Sequence, residues 1–586
     1  MHNSMENPSP VSTPVLACPG RPQHSDAYYR FAEFCRASWI YALLIAGAIV
    51  FVWPFLWMAT TSLKIDREMF GEKVHLWPHR PIPQTKSPYI DQRFFDDVSG
   101  KHMSELLPVL EAHLRQMDPS VWPDDVDRDA AIQQTARGCF HKLLNTMPAA
   151  IWDGPADALK AETTRRADTN MVREILGQIR RHFSLGQLRA RSYGRLGPIA
   201  DDQLVSGANA AAAWKVGGTA TAKLVEVTTS PEGEPYADVD YDFSTGNKLT
   251  LTQTFSTSFP IADLYELQLY ARTDDTWHGV TMYIEKLGVR YRANYTYDLA
   301  DFVWGIAMWQ ERGPDDKTNK VRTWILLDEI GRGPQYESDP HKIRVELELT
   351  RRSAPGAWWA KARRNYKMAL DNMPFWRYVA TSLFLVTLNL VGTLFSCSLV
   401  AYSFARLQWP GRNFCFALML ATLMVPGQVT MIPYFLIVRS LGWYNTLYPL
   451  WVGSFFASAF NVFLLRQFFK GIPRDLEDAA KIDGCGFWRI YWNIMLPLVK
   501  PALAAIAIFT FMGTWNEFMG PLIYLQDQRL YPLALGLYAF QANPLTGNSM
   551  GMMMAGSLMM TTPIILIFFF AQKYFIQGVT LTGMKG

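Results

Sequence analysis

Side chains able to do chemistry are scarce in the C-terminal half of this 586-residue chain, where long apolar segments dominate. That scarcity makes the exceptions informative. Asn516 and Glu517 form the one acidic site inside an apolar segment. An ionised group at such depth is costly unless it faces a cavity, a partner or the hydrated edge of a membrane. Asn389, Gln428 and Asn461 are neutral polar groups in similar surroundings, and Pro426 and Pro433 bracket the stretch MVPGQVTMIP. Each proline removes a backbone donor and can kink a helix, which is one way a transporter turns polar backbone toward a solute; kinked packing without gating would read the same. Pro426, Gln428, Pro433, Asn461, Asn516 and Glu517 are therefore pore or gate candidates, and their chemistry is binding and passage.

Bond-breaking chemistry has no such candidates. The chain lacks a G-x-x-x-x-G-K-[ST] loop, a His-Glu-x-x-His pair and any cysteine pair at zinc-ligand spacing. No catalytic residue, metal site or cofactor is expected in this chain, and ATP-driven work would need a partner. Of six cysteines only Cys139 falls in the long soluble stretch, so that stretch holds no internal disulfide. The net charge of +4 comes from scattered basic residues and gives no nucleic-acid patch.

A second group of candidates lies in residues 471–500, the one long polar run between the C-terminal apolar segments. Pro473 suits a first helical position, and Asp475, Glu477 and Asp478 crowd the positive end of the helix dipole that would follow. Lys481 lies four residues after Glu477, the spacing of a supporting ion pair. Ala479, Ala480, Gly484 and Gly486 leave little side chain on part of the surface, so another chain can approach closely.

Asp478-Ala479-Ala480, three residues, Gly484, nine residues and Ile494-x-Leu496-Pro497 together resemble the cytoplasmic coupling loop of ABC importer permeases. Asp478 stands where that family usually has Glu, keeping the charge on a shorter arm. Pro54 to Lys64, Asn365-Tyr366 with PFWRYVATSLFL, and Thr514 to Leu522 extend the resemblance to about residues 39–78 and 365–586. The family it implies is the carbohydrate importers of the maltose type. The resemblance implies ATPase-coupling roles for Glu477, Asp478, Ala479, Ala480, Asp483, Gly484, Ile494, Leu496 and Pro497. It also implies a C-terminal tail, Gln577, Gly578, Thr582, Gly583 and Lys585, that reaches the ATPase interface. The implied partners are a second permease subunit, two ATP-binding subunits carrying ATP and Mg, an extracytoplasmic solute-binding protein and the lipid bilayer.

The elements that must position these residues follow from hydropathy and period. Residues 1–36 read as a disordered cytoplasmic arm, 37–65 as a first transmembrane helix and 66–360 as an extracytoplasmic insert. Residues 361–576 read as the permease core and 577–586 as the cytoplasmic tail. Further spans are expected at about Tyr378–Phe404, Phe414–Val438, Thr446–Phe468, Ala502–Leu525 and Met552–Ala571. Arg406, Arg412, Arg466, Lys470, Arg474, Lys481, Arg489 and Lys500 gather in the connections on one side, against Arg439 and Arg529 on the other. Six transmembrane helices in a bacterial inner membrane, both termini cytoplasmic, satisfy that asymmetry.

The insert is expected to be α + β: helical over about 90–195, and a jelly-roll-like β-sandwich of antiparallel strands over about 205–352. Val172, Ile175, Leu176, Ile179 and Phe183 follow the helical period, whereas Ala237 to Phe243 and Ile343 to Leu349 alternate with a period of two. Trp277, Tyr283, Tyr291 and Tyr295 would stack on sugar rings if exposed and fill the core if not. Three functions remain open from sequence: an importer permease for a sugar or oligosaccharide, a permease for a polyol, peptide or phosphodiester, or a membrane-anchored envelope carbohydrate-binding or scaffold protein.

Overall fold

The computed structural model describes residues 26–69, 75–96, 98–192, 202–204, 214–227, 236–300, 302, 304–311, 325–332, 339–542 and 549–580. The chain divides into two compact units, residues 1–58 and 59–586. The first carries most of helix α1, Asp26–Thr61, an apolar run with Pro54 near its end. The helix therefore starts inside the arm expected to be irregular.

The insert begins with a helical lobe: α2 (Met103–Gln116), α3 (Arg128–Thr146), α4 (Ala156–Arg166) and α5 (Thr169–Ile179). Asp127 and Asp168 cap α3 and α5 by accepting from Asp129 N at 3.0 Å and Met171 N at 2.8 Å. Leu106, Leu110 and Leu114, four apart on α2, meet Ala136, Phe140 and Leu143 of α3 and Val172, Ile175 and Ile179 of α5 in one core. The helical expectation overruns at its end. Phe183 opens strand β1, Phe183–Ser192, instead of closing α5.

Eight further strands carry the main path of the sheet: β2 (Tyr236–Asp242), β3 (Lys248–Ser256), β4 (Leu264–Arg272), β5 (Gly279–Lys286), β6 (Val289–Ala293), β7 (Trp304–Glu311), β8 (Ile325–Arg332) and β9 (Lys342–Thr350). With β1 they form one continuous sheet in the order β2-β1-β4-β7-β8-β6-β5-β9-β3; Thr221–Val227 pairs with β2, and shorter strands pair along the path and at its ends. Both ends of that order share one core: Leu188, Val239, Leu269 and Trp309 lie in the same cluster as Leu251, Met282 and Leu347. The sheet thus curls over its own apolar face, as period-two alternation on β2 and β9 requires. Two expectations need correction. A sandwich cut at 205 would lose β1, which pairs with both β2 and β4, and one neighbouring pair, β7 with β8, is parallel.

Helix α6, Ala354–Asn372, then runs through the expected insert boundary at 360, so one rigid element joins the insert to the first core span. Its buried face carries Ala357, Ala360, Lys361, Asn365 and Ala369. Asn365 Nδ2 donates to the carbonyls of Ser62 and Lys64 at 2.8 Å each, and Lys361 pairs with Glu68 and donates to the His79 carbonyl at 2.7 Å. The chain entering the insert and the chain leaving it are clasped together there.

The core comprises α7 (Phe375–Arg406), α8 (Arg412–Ala421), α9 (Gly427–Ser440), α10 (Ala459–Gly471), α11 (Asp475–Ile482), α12 (Lys500–Trp515), α13 (Met519–Tyr524), α14 (Leu533–Gln541) and α15 (Met550–Thr580). Among the described residues four helices are long and apolar enough to cross a membrane, or up to six if each of two bent pairs counts as one span. The expected third span is bent by 100° between Met424 and Gly427, where Pro426 lacks the donor that would continue the helix. The fourth starts later than expected: 446–458 holds two 3₁₀ turns, and the regular helix begins at Ala459. The fifth stops at Trp515, ten residues short of the expected Leu525. At its other end it joins Phe487–Leu498 at a 76° bend.

Candidate functional site

Helix α11 is a short, sharply terminated element between α10 and α12. Asp475, Glu477 and Asp478 occupy its first turn. At its C-terminus Gly484 takes φ +80°, its N–H donates to the Lys481 carbonyl at 3.0 Å, and the Cys485 N–H reaches the Ala480 carbonyl at 2.9 Å. That pair of bonds is a Schellman motif, and the left-handed backbone explains why glycine stands at 484. No heavy atom lies within 4 Å of where a Gly484 side chain would begin, so this end faces open space.

The helix has two faces. Ala480 and Glu477 are buried, Glu477 at 7% exposure, whereas Asp478, Ala479, Asp483 and Gly484 are exposed. Leu476, 46% exposed, and Ile482, 87% exposed, add an uncovered apolar surface. Two expectations change here. Lys481 pairs with Asp478 at 3.0 Å and not with Glu477, and Ala480 packs inward instead of joining the small-residue surface. Downstream, Tyr491–Met495 forms a π-helical turn whose Tyr491 hydroxyl meets Ser398 Oγ of α7 at 2.7 Å. Ile494 and Leu496 are half-buried against the core around α7, α10 and α12, and Pro497 is exposed.

Glu477 turns toward Arg406 in the last turn of α7, with Nε and Oε1 3.3 Å apart. The Arg406 guanidinium also donates to the carbonyls of Phe469 and, at 2.5 Å, Ile472. Sequence reading assigned Arg406 only a role in topology. Its carbonyl partners have no side-chain signature, and the one available signal was a basic residue ending a long apolar helix.

The pore candidates lie in three places: α9 with its cap, α10, and the break between α12 and α13. Pro426 caps the start of α9 at the bend, Gln428 is exposed beside it, and Pro433 lies inside α9. Asn461 is half-buried in the first turn of α10. Asn516 and Glu517 sit at the break between α12 and α13, not within a continuous helix. Asn516 Nδ2 donates to the Met512 carbonyl at 2.9 Å, and Glu517 Oε1 accepts from Gly520 N at 2.9 Å. An exposed carboxylate capping a helical turn needs no special compensation, so the local backbone accounts for a Glu at this position. Asn389 likewise bridges the carbonyls of Leu385 and Leu450, at 2.9 and 3.0 Å.

The four aromatic candidates of the insert separate too. Trp277, 2% exposed, is packed with Ile65, Ala300, Ala357 and Ala360 where insert meets α6, so it is no sugar platform. Tyr283, on the outer face, lies under the Arg290 guanidinium at 4.6 Å, whereas Tyr291 packs against the core on the opposite face. Tyr295 is half-buried with Lys367 Nζ 4.8 Å from its ring.

A different aromatic arrangement joins the helical lobe to the sheet. Tyr270 and Trp304 stack at 4.8 Å; the Arg272 guanidinium lies 5.1 Å from Trp304 and 4.8 Å from Phe302. Arg181 continues the ladder, 4.3 Å from Phe302 and 5.1 Å from Phe94, and pairs with Asp91 at 3.2 Å. Gly186 makes room for it, since a side chain there would start 2.9 Å from the Tyr270 carbonyl. Beside the ladder, Arg272 donates to His182 Nε2, and Ser184 Oγ donates to Asp238 at 2.6 Å. Burial, with Arg272, Arg180 and Arg181 nearby, pushes His182 down to about 2, and burial with Asp125 and Asp238 pushes Asp240 up to about 6.

Gln577 and Gly578, expected in the tail, fall within the last turns of α15, whose side chains lie outside the described residues; Thr582, Gly583 and Lys585 lie outside them entirely. Among the described residues no three His, Cys, Asp or Glu side chains gather as a metal site.

Residues 396–581 match the family described as binding-protein-dependent transport system inner membrane component. The chain is 38% identical over 214 residues to the arabinooligosaccharides transport system permease protein AraQ of Halalkalibacterium halodurans, covering 36% of this chain and 75% of that one. It is 38% identical over 227 residues to AraQ of Bacillus subtilis, covering 37% and 80%. To the diacetylchitobiose uptake system permease protein NgcG of Streptomyces coelicolor it is 32% identical over 253 residues, covering 43% and 78%. Among solved structures, a bacterial ABC transporter involved in import of the acidic polysaccharide alginate is 28% identical, with TM-score 0.33, covering 36% of this chain and 79% of that one. The family match lies wholly C-terminal to the insert.

Proposed function

Since this chain belongs to the carbohydrate-importer permeases of ABC transporters, a membrane subunit and not an enzyme, we propose that it forms half of the translocation pore for a sugar or oligosaccharide and couples it to ATP hydrolysis through residues 471–500. The second half of the pore is a sister permease; two ATP-binding subunits, holding ATP and Mg, dock on the exposed face of α11. An extracytoplasmic solute-binding protein delivers the substrate. Six spans, with each bent pair crossing once, put both termini in the cytoplasm and the insert, read as a jelly-roll-derived sheet with a helical lobe, on the outer side. The relatives' oligosaccharide substrates support the solute class.

One observation carries the reading: α11 has a buried side anchored to the core and an uncovered apolar side, Leu476 and Ile482, ended by a glycine that faces open space. A surface of that kind fits a docking partner. The mechanism follows from differential contact: an ATPase dimer that closes on ATP moves α11, and the spans tilt as rigid bodies into another access state.

The test is co-purification of the tagged full-length protein in mild detergent, with partners identified by mass spectrometry. The native chain should recover a second permease and an ATPase. Gly484→Trp and Ile482→Glu should each recover the permease with at least tenfold less ATPase. Recovery of neither partner by the native chain would instead favour an anchored envelope-binding protein whose function is the insert.

A further inference from the structure

The ends of α7 and α10 cap each other. A helix leaves its last four carbonyls without internal partners, and these must be satisfied from outside. Arg406 of α7 supplies donors to Phe469 in the last turn of α10 and to Ile472, its C-cap. Arg466 of α10 returns the contact: its Nε donates to the Phe404 carbonyl of α7 at 3.3 Å, and its guanidinium lies 4.0 Å from the Phe416 ring on α8. Neither helix end can move away without exposing the carbonyls of the other. Around them Tyr402, Ala405, Leu465 and Phe469 share one buried cluster with Ala480 of α11.

On this doubly capped end sits one buried carboxylate. Glu477 meets Arg406 at 3.3 Å, with only 9% and 4% of the two side chains exposed. Burying an ion pair is poor value as stabilisation, because desolvation offsets most of the attraction. What such a pair does well is hold a direction: separating the charges leaves both buried and uncompensated. Ala480 is the other buried residue of α11, and its methyl group gives little grip on the core.

We infer that Arg406 is a positioning residue that ties α11, through Glu477, to the ends of α7 and α10 together, so that displacement of α11 moves two helices as one body. The inference rests on the coupling function proposed above. It gives Glu477 a role inside the subunit, distinct from the outward residues Asp478 and Ile482 that meet a partner. The three-way contact also predicts asymmetry. Loss of the carboxylate releases α11 alone, whereas loss of the arginine also uncaps α10.

The experiment uses the full chain co-purified with its partners and reconstituted in lipid nanodiscs, with ATP and vanadate as the probe. A reporter cysteine replaces Trp376, 74% exposed at the far end of α7, and its maleimide labelling rate is read by peptide mass spectrometry. In the native background ATP with vanadate should change that rate several-fold. With Glu477→Gln the ATPase should still co-purify, while the change falls to less than one third of native. Arg406→Lys, which keeps the charge, should retain more than half of it. A native-sized change in Glu477→Gln with ATPase bound would overturn the joint. Loss of the ATPase from Glu477→Gln would also overturn it, by making Glu477 part of the docking face. Absence of ATPase from the native complex would sink the coupling reading itself, an outcome readable before any variant is compared.

Discussion

The insert and the permease core handle the same polar and apolar groups in opposite ways. In the insert, apolar side chains turn inward to two dense cores, and polar groups are drawn into networks such as the Arg181–Arg272 ladder. In the core, large apolar groups face outward: Met424, Ile432 and Phe456 are each more than half exposed, while arginines are buried against backbone carbonyls. The difference teaches which solvent each region folds in. Water selects an inward apolar face in the insert, whereas lipid accepts an outward one in the core, leaving backbone satisfaction as the constraint there.

That contrast can be broken experimentally. The largest effect should come from Leu347→Ala, which opens a cavity in the fully buried sheet core at about 2–5 kcal/mol. The insert transition in a thermal melt of the full-length protein should fall, while recovery of the ATPase stays at the native level; joint loss of both would mean that the two regions fold as one. Next, Arg181→Ala removes two cation–π contacts and the Asp91 pair, about 2 kcal/mol on the scale of desolvated cation–π contacts. Its signature should be faster proteolysis between 179 and 183 with the sheet intact.

The smallest effect is a pH dependence confined to the insert. His182 has its folded value depressed far below the ordinary 6.5, so below pH 6.5 the unfolded chain takes up a proton that the folded chain refuses, and stability falls as pH falls. Between pH 6.5 and 5.5 the loss is about 1.4 kcal/mol at most. Asp240, raised to about 6, acts in the opposite sense between about pH 6 and 4, because there the folded chain keeps a proton that the unfolded chain releases. Insert melts from pH 7.5 to 5.5 should therefore show a modest drop, steeper in Asp240→Asn. An unchanged midpoint would mean that the His182 site hydrates on acidification.

How much was legible depended on whether a residue's partner was another side chain. Alternation over Ile343 to Leu349 gave β9 because one face of a strand must meet a core. Phe183 misled because it lies four residues after Ile179, continuing a helical count, while Leu185, Leu188 and Ala190 in the same stretch also suit one face of a strand. Which one forms is decided by pairing with β2 and β4, distant in sequence. Pro426 announced a break in the third span but not a 100° bend. The spacing of Asp478, Gly484 and Leu496 pointed to α11 as a docking element. The inward turn of Glu477 was not legible, since Arg406 lies 71 residues upstream and the hydrogen bonds that hold Arg406 go to backbone carbonyls.

The clasp at the mouth of the insert has an evolutionary consequence. Asn365 holds Ser62 and Lys64, so the first and last turns flanking nearly three hundred residues stand side by side. For the membrane part, the excursion behaves as a hairpin of negligible length: its closure entropy is met locally, whatever hangs beyond it. Such a doorway tolerates exchange. A lineage could enlarge, trim or replace the cargo between Lys64 and Lys361 while the transporter beneath kept its geometry, which makes the insert a cassette and the clasp its socket.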